Sequence, residues 1–266
     1  MTIQNITDKD MNSENNTYVI TVCSGKGGVG KSIISTNLAY SLSEMDRNVL
    51  IFDGNLNYPN QHLICGIEPN FRLYDVIHFQ LDYNEAIYKI NDNLSIMAER
   101  PATGEMDSYS VENLRNLLEK IKLDNKFDYV VIDTLSGAHE ELFEFCRISN
   151  LILIVINDEP TSLLDAYGLI KIFRKYVNIK KIALLVNNVI DNDDANDISY
   201  KLNLATEKFL KLRIEVVGYI PYDRAVRNSV LKQEPFILSV PDSEASKALS
   251  RLAKKIMKRN KRMVKV

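Results

Sequence analysis

Cysteines, net charge and long hydrophobic runs are all scarce in this chain, and each shortage excludes a class of protein. The cysteines Cys23, Cys65 and Cys146 are widely spaced and form no CxxC pair, which argues against a disulfide framework or a zinc site and favours a reducing cytoplasm. The net charge of −2 over 266 residues gives no overall attraction to nucleic acid or membranes. No apolar run approaches the roughly 20 residues that cross a bilayer, and the polar N-terminus does not read as a signal peptide. We therefore expect a cytoplasmic globular protein.

A glycine-rich loop at residues 24–32 is the most informative segment of the chain. It reads SGKGGVGKS and satisfies G-x-x-x-x-G-K-[ST], a pattern in which backbone N–H groups surround nucleotide phosphates. A β-branched run precedes it and helical apolar spacing follows it, so the loop opens a helix N-terminus, where anions bind. An ordinary glycine turn is the alternative. The pattern predicts that Lys31 contacts the β- and γ-phosphates and that Ser32 binds Mg²⁺. The predicted nucleotide-binding residues of the loop are Gly27, Gly28, Val29, Gly30, Lys31, Ser32 and Ile33.

Short apolar runs alternate with helical patterns along the rest of the chain. Continuous apolarity predicts strands covered on both faces, as in a parallel sheet. The predicted strands span residues 18–22, 49–53, 94–97, 129–133, 151–156, 182–187 and 215–220. The predicted helices at 111–122, 162–176 and 200–211 suit right-handed crossovers. The sequence therefore predicts an α/β fold: a doubly wound, mainly parallel sheet with helices on both faces and a ligand site at the carboxyl ends of the strands.

The chain shows no internal repeat and no linker rich in proline or glycine, so we expect one folded domain over residues 17–257. Residues 1–16 are rich in Asn, Asp, Ser and Thr and predict a disordered polar tail. Residues 258–266 form a basic tail.

Two aspartates end predicted strands. Asp133 follows four apolar residues, the position from which a carboxylate holds Mg²⁺ beside a phosphate loop, often through water. A strand-end aspartate could equally cap the next helix. Asp53 closes the second predicted strand. We expect Ser32, Asp53 and Asp133 to form the metal side of the site.

The loop contains a second lysine, Lys26, and SGKGGVGKS resembles the deviant Walker A motif of the MinD/ParA class of P-loop ATPases. The resemblance implies that Lys26 crosses a dimer interface to contact the partner's ATP, so that ATP and Mg²⁺ hold a homodimer together. A solvated loop lysine is the alternative. The segment DTLSG at 133–137 resembles the switch II sequence D-T-P-A-G of the class. Gly137 would then supply a mobile N–H near the γ-phosphate.

Switch I departs from the pattern of the class. FDGNLN at 52–57 aligns with D-x-D-x-G, and the second aspartate falls on Asn55. An amide can position water but cannot accept its proton as a carboxylate can. Phosphoryl transfer depends mainly on positioning and charge stabilisation, so we expect slow ATP hydrolysis with ATP binding preserved. The expected catalytic residues are Lys26, Lys31 and Asn55.

Adenine recognition is expected at the carboxyl ends of the last strands. Asn187 ends one strand, and Gly218–Asp223 reads G-x-I-P-x-D. In MinD-like proteins such an asparagine hydrogen-bonds the adenine edge, and the turn packs against the adenine ring. The resemblance implies that Pro221 and Tyr222 contact the ring here. An amide suits an adenine N6/N7 edge, whereas a turn-capping asparagine beside a proline turn is the alternative.

The block EPTSLLDAY at 159–167 resembles the FlhG (YlxH) branch of the class, MinD-like regulators of flagellar number and placement. The resemblance runs over residues 18–255 and implies a partner in flagellar assembly, either an FlhF-like GTPase or a basal-body component. Residues 1–17 lack the activator motif D-Q-A-x-x-L-R of that branch. A ParA-type partition ATPase that binds DNA and an ATP-binding scaffold with little hydrolysis are the alternatives. Electron-transfer and iron–sulfur relatives need bridging cysteines, which the three isolated cysteines do not supply.

The C-terminal segment combines an apolar stripe with many basic residues. The stripe consists of Ala248, Leu249, Leu252, Ala253, Ile256 and Met257. From Arg251 onward the chain carries 8 positive charges and no acid. The stripe could pack on the domain and leave a solvated basic tail, or the helix could lie on anionic lipid at the cytoplasmic face of the cell membrane. A nucleic acid or other acidic partner is a third alternative, disfavoured by the net charge of the chain.

Overall fold

A computed structural model describes residues 17–99 and 110–263. Within these ranges an eight-stranded sheet has the order β3-β4-β2-β5-β1-β6-β7-β8. Its strands are β1 Tyr18–Cys23, β2 Val49–Gly54, β3 Tyr88–Lys89, β4 Leu94–Met97, β5 Tyr129–Thr134, β6 Leu151–Ile156, β7 Ile182–Val189 and β8 Glu215–Pro221. Neighbouring strands are parallel except β3, which pairs antiparallel with β4. The predicted doubly wound, mainly parallel α/β fold is confirmed.

Helices cover both faces of the sheet. They are α1 Lys31–Ser43, α2 Gln61–Ile64, α3 Leu73–Phe79, α4 Val111–Leu123, α5 Glu140–Ile148, α6 Pro160–Phe173, α7 Asn192–Leu210, α8 Arg224–Leu231, α9 Phe236–Ser239 and α10 Glu244–Met263. One face packs against α1, α9 and α10, and the opposite face packs against α4, α5, α6 and α7. Because helices cover both faces, the central strands β1, β2, β5 and β6 are buried along their whole length.

Several boundaries differ from the sequence prediction. The helix predicted over 200–211 begins at Asn192, because the Asp191 carboxylate caps it by accepting a hydrogen bond from the Asp194 N–H at 2.9 Å. Few apolar residues mark its first turns, so periodicity placed the start too late. The helix predicted over 162–176 spans Pro160–Phe173, and the proline occupies its first turn. The short elements β3, α2, α3, α8 and α9 were not predicted.

The apolar stripe of the C-terminal helix packs on the domain. Leu249, Leu252 and Ile256 are buried in the core that α10 shares with α1 and the sheet. The helix continues past residue 257, and the Arg259 guanidinium donates to Glu215 Oε2 at 2.7 Å. No helix in the described ranges is long and apolar enough to span a membrane. The predicted polar tail at 1–16 and the end of the basic tail at 264–266 lie outside the described residues.

Candidate nucleotide-binding site

The glycine loop connects β1 to α1 at the carboxyl edge of the sheet. Gly30 precedes the first residue of α1 with φ +95°, a backbone conformation that side chains with a Cβ rarely adopt. A Cβ at Gly30 would lie 2.4 Å from Asn187 Nδ2. The loop therefore needs glycine here both for its dihedral angle and for its contact with β7.

Lys31 and Ser32 open helix α1, where unpaired N–H groups and the helix dipole favour an anion. Burial lowers the pKa of Lys31, and the nearby Asp133 carboxylate opposes this shift. The Ser32 hydroxyl hydrogen-bonds the Asp133 carboxylate and accepts from Asn60 Nδ2 at 3.3 Å. The structure thus brings the predicted phosphate ligand and two predicted metal ligands together at the head of one helix.

Asp53 and Asp133 lie opposite each other on the adjacent strands β2 and β5, and both side chains are fully buried. Burial raises the pKa of Asp53 well above its usual range, and the charge of Asp133 adds to this effect. Burial also raises the pKa of Asp133. Donors partly offset the cost of burying these charges: Asp133 Oδ1 accepts from Ser35 Oγ at 3.1 Å, and Asp53 Oδ1 accepts from the Asn55 N–H at 3.3 Å.

Gln61 was missed by the sequence analysis. This fully buried residue begins α2 and bonds both aspartates, donating from its backbone N–H to Asp53 Oδ2 at 3.1 Å and from Nε2 to Asp133 Oδ2 at 2.9 Å. A helix of one turn has no periodicity to reveal it, and a lone glutamine forms no motif. No sequence signal pointed to it.

The oxygen donors around Ser32 fit Mg²⁺. This ion binds through one or two carboxylates, and substrate phosphates and waters complete its coordination. Ser32 Oγ, Asp53 and Asp133 supply hydroxyl and carboxylate oxygens, and the buried Asn60 Oδ1 has no hydrogen-bond partner among the described residues. The described part of the chain contains no cluster of three or more His, Cys, Asp or Glu side chains that could form an all-protein cage. The two carboxylates and the hydroxyl suit a Mg²⁺ ion whose remaining ligands come from phosphate and water.

Asn55 lies at the end of β2, beside the two aspartates. Its side chain is 7% exposed, and Nδ2 donates to the Tyr58 carbonyl at 2.7 Å. Its Oδ1 is buried and has no hydrogen-bond partner among the described residues. A buried amide oxygen without a partner is costly unless water or a ligand contacts it. Its predicted role in positioning water stays a prediction.

Lys26 contacts its own chain. Its ammonium pairs with the Glu159 carboxylate and donates to Thr161 Oγ1 at 2.9 Å. Glu159 also accepts from Asn157 Nδ2 at 2.8 Å, and these two hydrogen bonds, first that from Lys26, lower the pKa of Glu159. Lys26 therefore bonds residues of the segment 159–167, the same segment whose sequence resembles the FlhG branch.

A cleft of about 270 Å³ lies beside the loop, lined by Asn187, Pro221 and Tyr222, the residues predicted to contact adenine. Asn187 Nδ2 donates to the Val29 carbonyl at 2.8 Å. Gly137 is held near the loop by a hydrogen bond from its N–H to the Ser24 carbonyl at 2.9 Å. The predicted adenine residues therefore border the predicted phosphate loop.

A larger cleft of about 460 Å³ lies on the other side of the loop, against α2 and α9. Leu63, Ile64 and Phe236 give it apolar walls. Sequence reasoning did not anticipate it, because its walls come from short elements far apart in the chain.

The phosphate-loop geometry at the head of α1 places the protein among the P-loop nucleotide-binding proteins. The family model described as "ParA: NUBPL iron-transfer P-loop NTPase" matches residues 15–257. The chain is 32% identical to the antiactivator FleN of Pseudomonas aeruginosa over 249 residues, which cover 93% of this chain and 89% of FleN. It belongs to the ParA/MinD family of P-loop NTPases.

Two further similarities concern a curated relative and a solved structure. The flagellum site-determining protein YlxH of Helicobacter pylori is 26% identical over 243 residues, 91% of this chain and 82% of YlxH. Among solved structures, the septum site-determining protein MinD of Pyrococcus horikoshii, complexed with Mg-ADP, matches with a TM-score of 0.76 over 90% of this chain and 96% of MinD. The identity in that pair is 24%, so it shows the fold alone.

Proposed function

We propose that this protein binds and slowly hydrolyses ATP, and that the ATP state is a homodimer. The observation that carries the proposal is the gathering of Lys31, Ser32 and Asp133 where the glycine loop enters α1. A buried lysine, a hydroxyl and a carboxylate in this arrangement suit a nucleotide triphosphate with its metal. The family assignment supports the same chemistry.

Most residues of the site would bind the nucleotide and its metal, and Asn55 would act in hydrolysis. The N–H groups of the loop and Lys31 would bind the phosphates, and Ser32 and Asp133 would hold Mg²⁺, with Asp53 beside them. When bound, Mg²⁺ neutralises charge that develops on the phosphate oxygens. Asn55 would orient the attacking water through its free oxygen without taking the proton. Turnover is therefore slow.

Lys26 would convert ATP binding into dimerisation. In the single chain this lysine bonds Glu159 and Thr161 at the surface, and its side chain is 29% exposed. An exposed ion pair is weak, so the lysine can exchange this carboxylate for the phosphates of a facing subunit's ATP. The γ-phosphate would then link the two subunits.

Flagellar number or placement is the process that the relatives favour. FleN is named an antiactivator and YlxH a flagellum site-determining protein, and the matches run along nearly the whole chain. A protein of the flagellar assembly, either an FlhF-like GTPase or a basal-body component, would be the partner of the ATP state. Peripheral membrane contact would use the exposed basic residues of α10, since its apolar stripe is buried.

Light scattering and nucleotide binding test the proposal together. Wild-type protein in Mg²⁺-ATP should have twice the mass that it has in Mg²⁺-ADP. Lys26→Ala should bind ATP and stay a monomer, whereas Lys31→Ala should bind no nucleotide. Lys201→Ala, an exposed lysine of α7 paired with Asp197, is the matched control and should dimerise normally. A wild-type protein that binds ATP and remains monomeric, with no phosphate released, would refute the switch.

Asn55 favours a second candidate, a regulatory scaffold that binds ATP and hydrolyses almost none. Its side chain cannot act as a base, and its Nδ2 is already bonded to the Tyr58 carbonyl. Comparing ATP affinity with phosphate release separates the two candidates. Tight binding without measurable release would identify the scaffold.

A further inference from the structure

Gln61 connects the two buried aspartates of the site to the glycine loop and to helix α1. Its side-chain amide donates to Asp133 Oδ2 at 2.9 Å and lies 3.3 Å from the Ser32 carbonyl. Its Oε1 accepts from Thr36 Oγ1 at 2.6 Å, and its backbone N–H donates to Asp53 Oδ2 at 3.1 Å. One residue therefore bonds both aspartates, the loop and the first helix.

The amide orientation of Gln61 is determined by its neighbours. Thr36 Oγ1 donates to Oε1, which leaves Nε2 facing acceptors only, the Asp133 carboxylate and the Ser32 carbonyl. The whole side chain is excluded from water. A buried amide bonded at both ends cannot rotate without losing hydrogen bonds, so it fixes the position of the Asp133 carboxylate.

Asp133 keeps acceptor capacity for a metal-bound water. A carboxylate offers about four lone-pair sites, and the described donors to Asp133 are Ser32, Ser35 and Gln61. If Ser32 bound Mg²⁺, Ser35 and Gln61 would be the remaining described donors that orient the Asp133 carboxylate. Groups that orient metal-binding carboxylates commonly change metal affinity by 10- to 100-fold when mutated.

We propose that Gln61 is a positioning residue for Mg²⁺: by holding Asp133 and Asp53 it sets how much the metal strengthens nucleotide binding. The inference rests on the proposed function, since it requires a nucleotide with Mg²⁺ at the loop. Gln61 bonds both aspartates, so it would act on the metal through them. Its removal should affect Mg²⁺-dependent binding and leave metal-free binding unchanged.

The test measures the affinity for fluorescently labelled ADP in Mg²⁺ and in EDTA. The ratio of these two affinities is the gain from Mg²⁺. ADP avoids both hydrolysis and the proposed ATP dimer. Gln61→Met keeps the length of the side chain and removes its hydrogen bonds to Asp133, Ser32 and Thr36, while the backbone hydrogen bond to Asp53 remains. We expect this variant to lower the gain from Mg²⁺ by about 10-fold and to bind ADP in EDTA like the wild type. Thr36→Val, which frees the amide without removing it, should lower the gain by a smaller factor.

Asn203→Leu is the matched control. Asn203 is another buried amide bonded at both ends, to the Ile214 carbonyl at 3.1 Å and the Ile214 N–H at 2.8 Å, and it lies on α7, away from the loop. This variant should lose stability and keep the full gain from Mg²⁺.

An unchanged gain in Gln61→Met, or an equal fall in Asn203→Leu, would overturn the inference while leaving the proposed function intact. If Gln61→Met does not fold, Thr36→Val decides by the same criterion. A wild-type chain that binds no ADP in either condition overturns the proposed function and the inference with it.

Discussion

Lys26 and Glu159 form an ion pair within one chain, joining the start of the phosphate loop to the residue before α6. They are 133 positions apart in the sequence. Glu159 also accepts a hydrogen bond from Asn157, so two donors orient its carboxylate. Lys26, which would contact the ATP of a second subunit, is therefore paired with a carboxylate of its own chain.

Glu159→Gln should favour the ATP dimer by releasing Lys26. The two side chains are 29% and 48% exposed, so the pair is weak and we expect the dimer dissociation constant to fall by roughly five-fold or less. Sedimentation velocity in Mg²⁺-ATP measures this constant. Glu207→Gln, which breaks the exposed pair with Arg213 on the remote helix α7, is the control and should have no effect. Weaker dimerisation of Glu159→Gln would show that the carboxylate supports the dimer.

Asn55→Asp should raise ATP turnover and lower stability. A carboxylate can take the proton of the attacking water, which we expect to increase phosphate release by about 10-fold or more. The same change removes the donor to the Tyr58 carbonyl and adds a buried charge beside Asp53, so the free energy of unfolding should fall. Phosphate release and urea denaturation measure the two effects. Asn55→Ala should lose stability without any gain in turnover; a rate for Asn55→Asp no higher than wild type would reject this account of switch I.

The free energy of unfolding should fall as pH rises above about 9. Burial raises the pKa of the Cys23 and Cys65 thiols to about 12 from 9.0, and that of Tyr18 to about 12 from 10.0. Between these values the unfolded chain has lost protons that the folded chain retains, so stability is complete below the unfolded pKa values and declines above them. Urea denaturation at pH 8 and pH 10.5 measures the difference. Cys23→Ala should make the decline smaller; equal stability at both pH values would contradict the burial of these groups.

Leu252→Ala should destabilise the fold by about 2–5 kcal/mol, because the side chain is 2% exposed in the core beneath α10. Lys254→Ala, on the exposed side of the same helix, should change the free energy of unfolding by about 0.5 kcal/mol or less. Urea denaturation gives both values. If Leu252→Ala kept full stability and instead lost binding to anionic vesicles, the apolar stripe would face lipid rather than the domain.

Local residue patterns predicted the sheet well, and they located the two strand-end aspartates that the structure places opposite each other. Continuous apolar runs marked β2 and β5, because strands covered on both faces must be apolar throughout, and the residues after them are the strand-end aspartates. The start of α7 was missed because a polar, capped first turn has no apolar period. The sequence also predicted the apolar stripe of α10. Its periodicity fits a helix on lipid as well as a helix on protein, so only the tertiary structure shows that the stripe packs on the domain.

By itself, the sequence determined the phosphate loop, the parallel sheet and the family, because these depend on contiguous residues: glycines where the backbone must bend, and apolar runs where both faces are covered. Only the tertiary structure decided which side chains meet. The sheet order places Asp53 opposite Asp133, α2 brings Gln61 to both of them, and β6 delivers Glu159 to Lys26. Such contacts join residues distant along the chain, and they follow from strand order and packing, which no local pattern encodes.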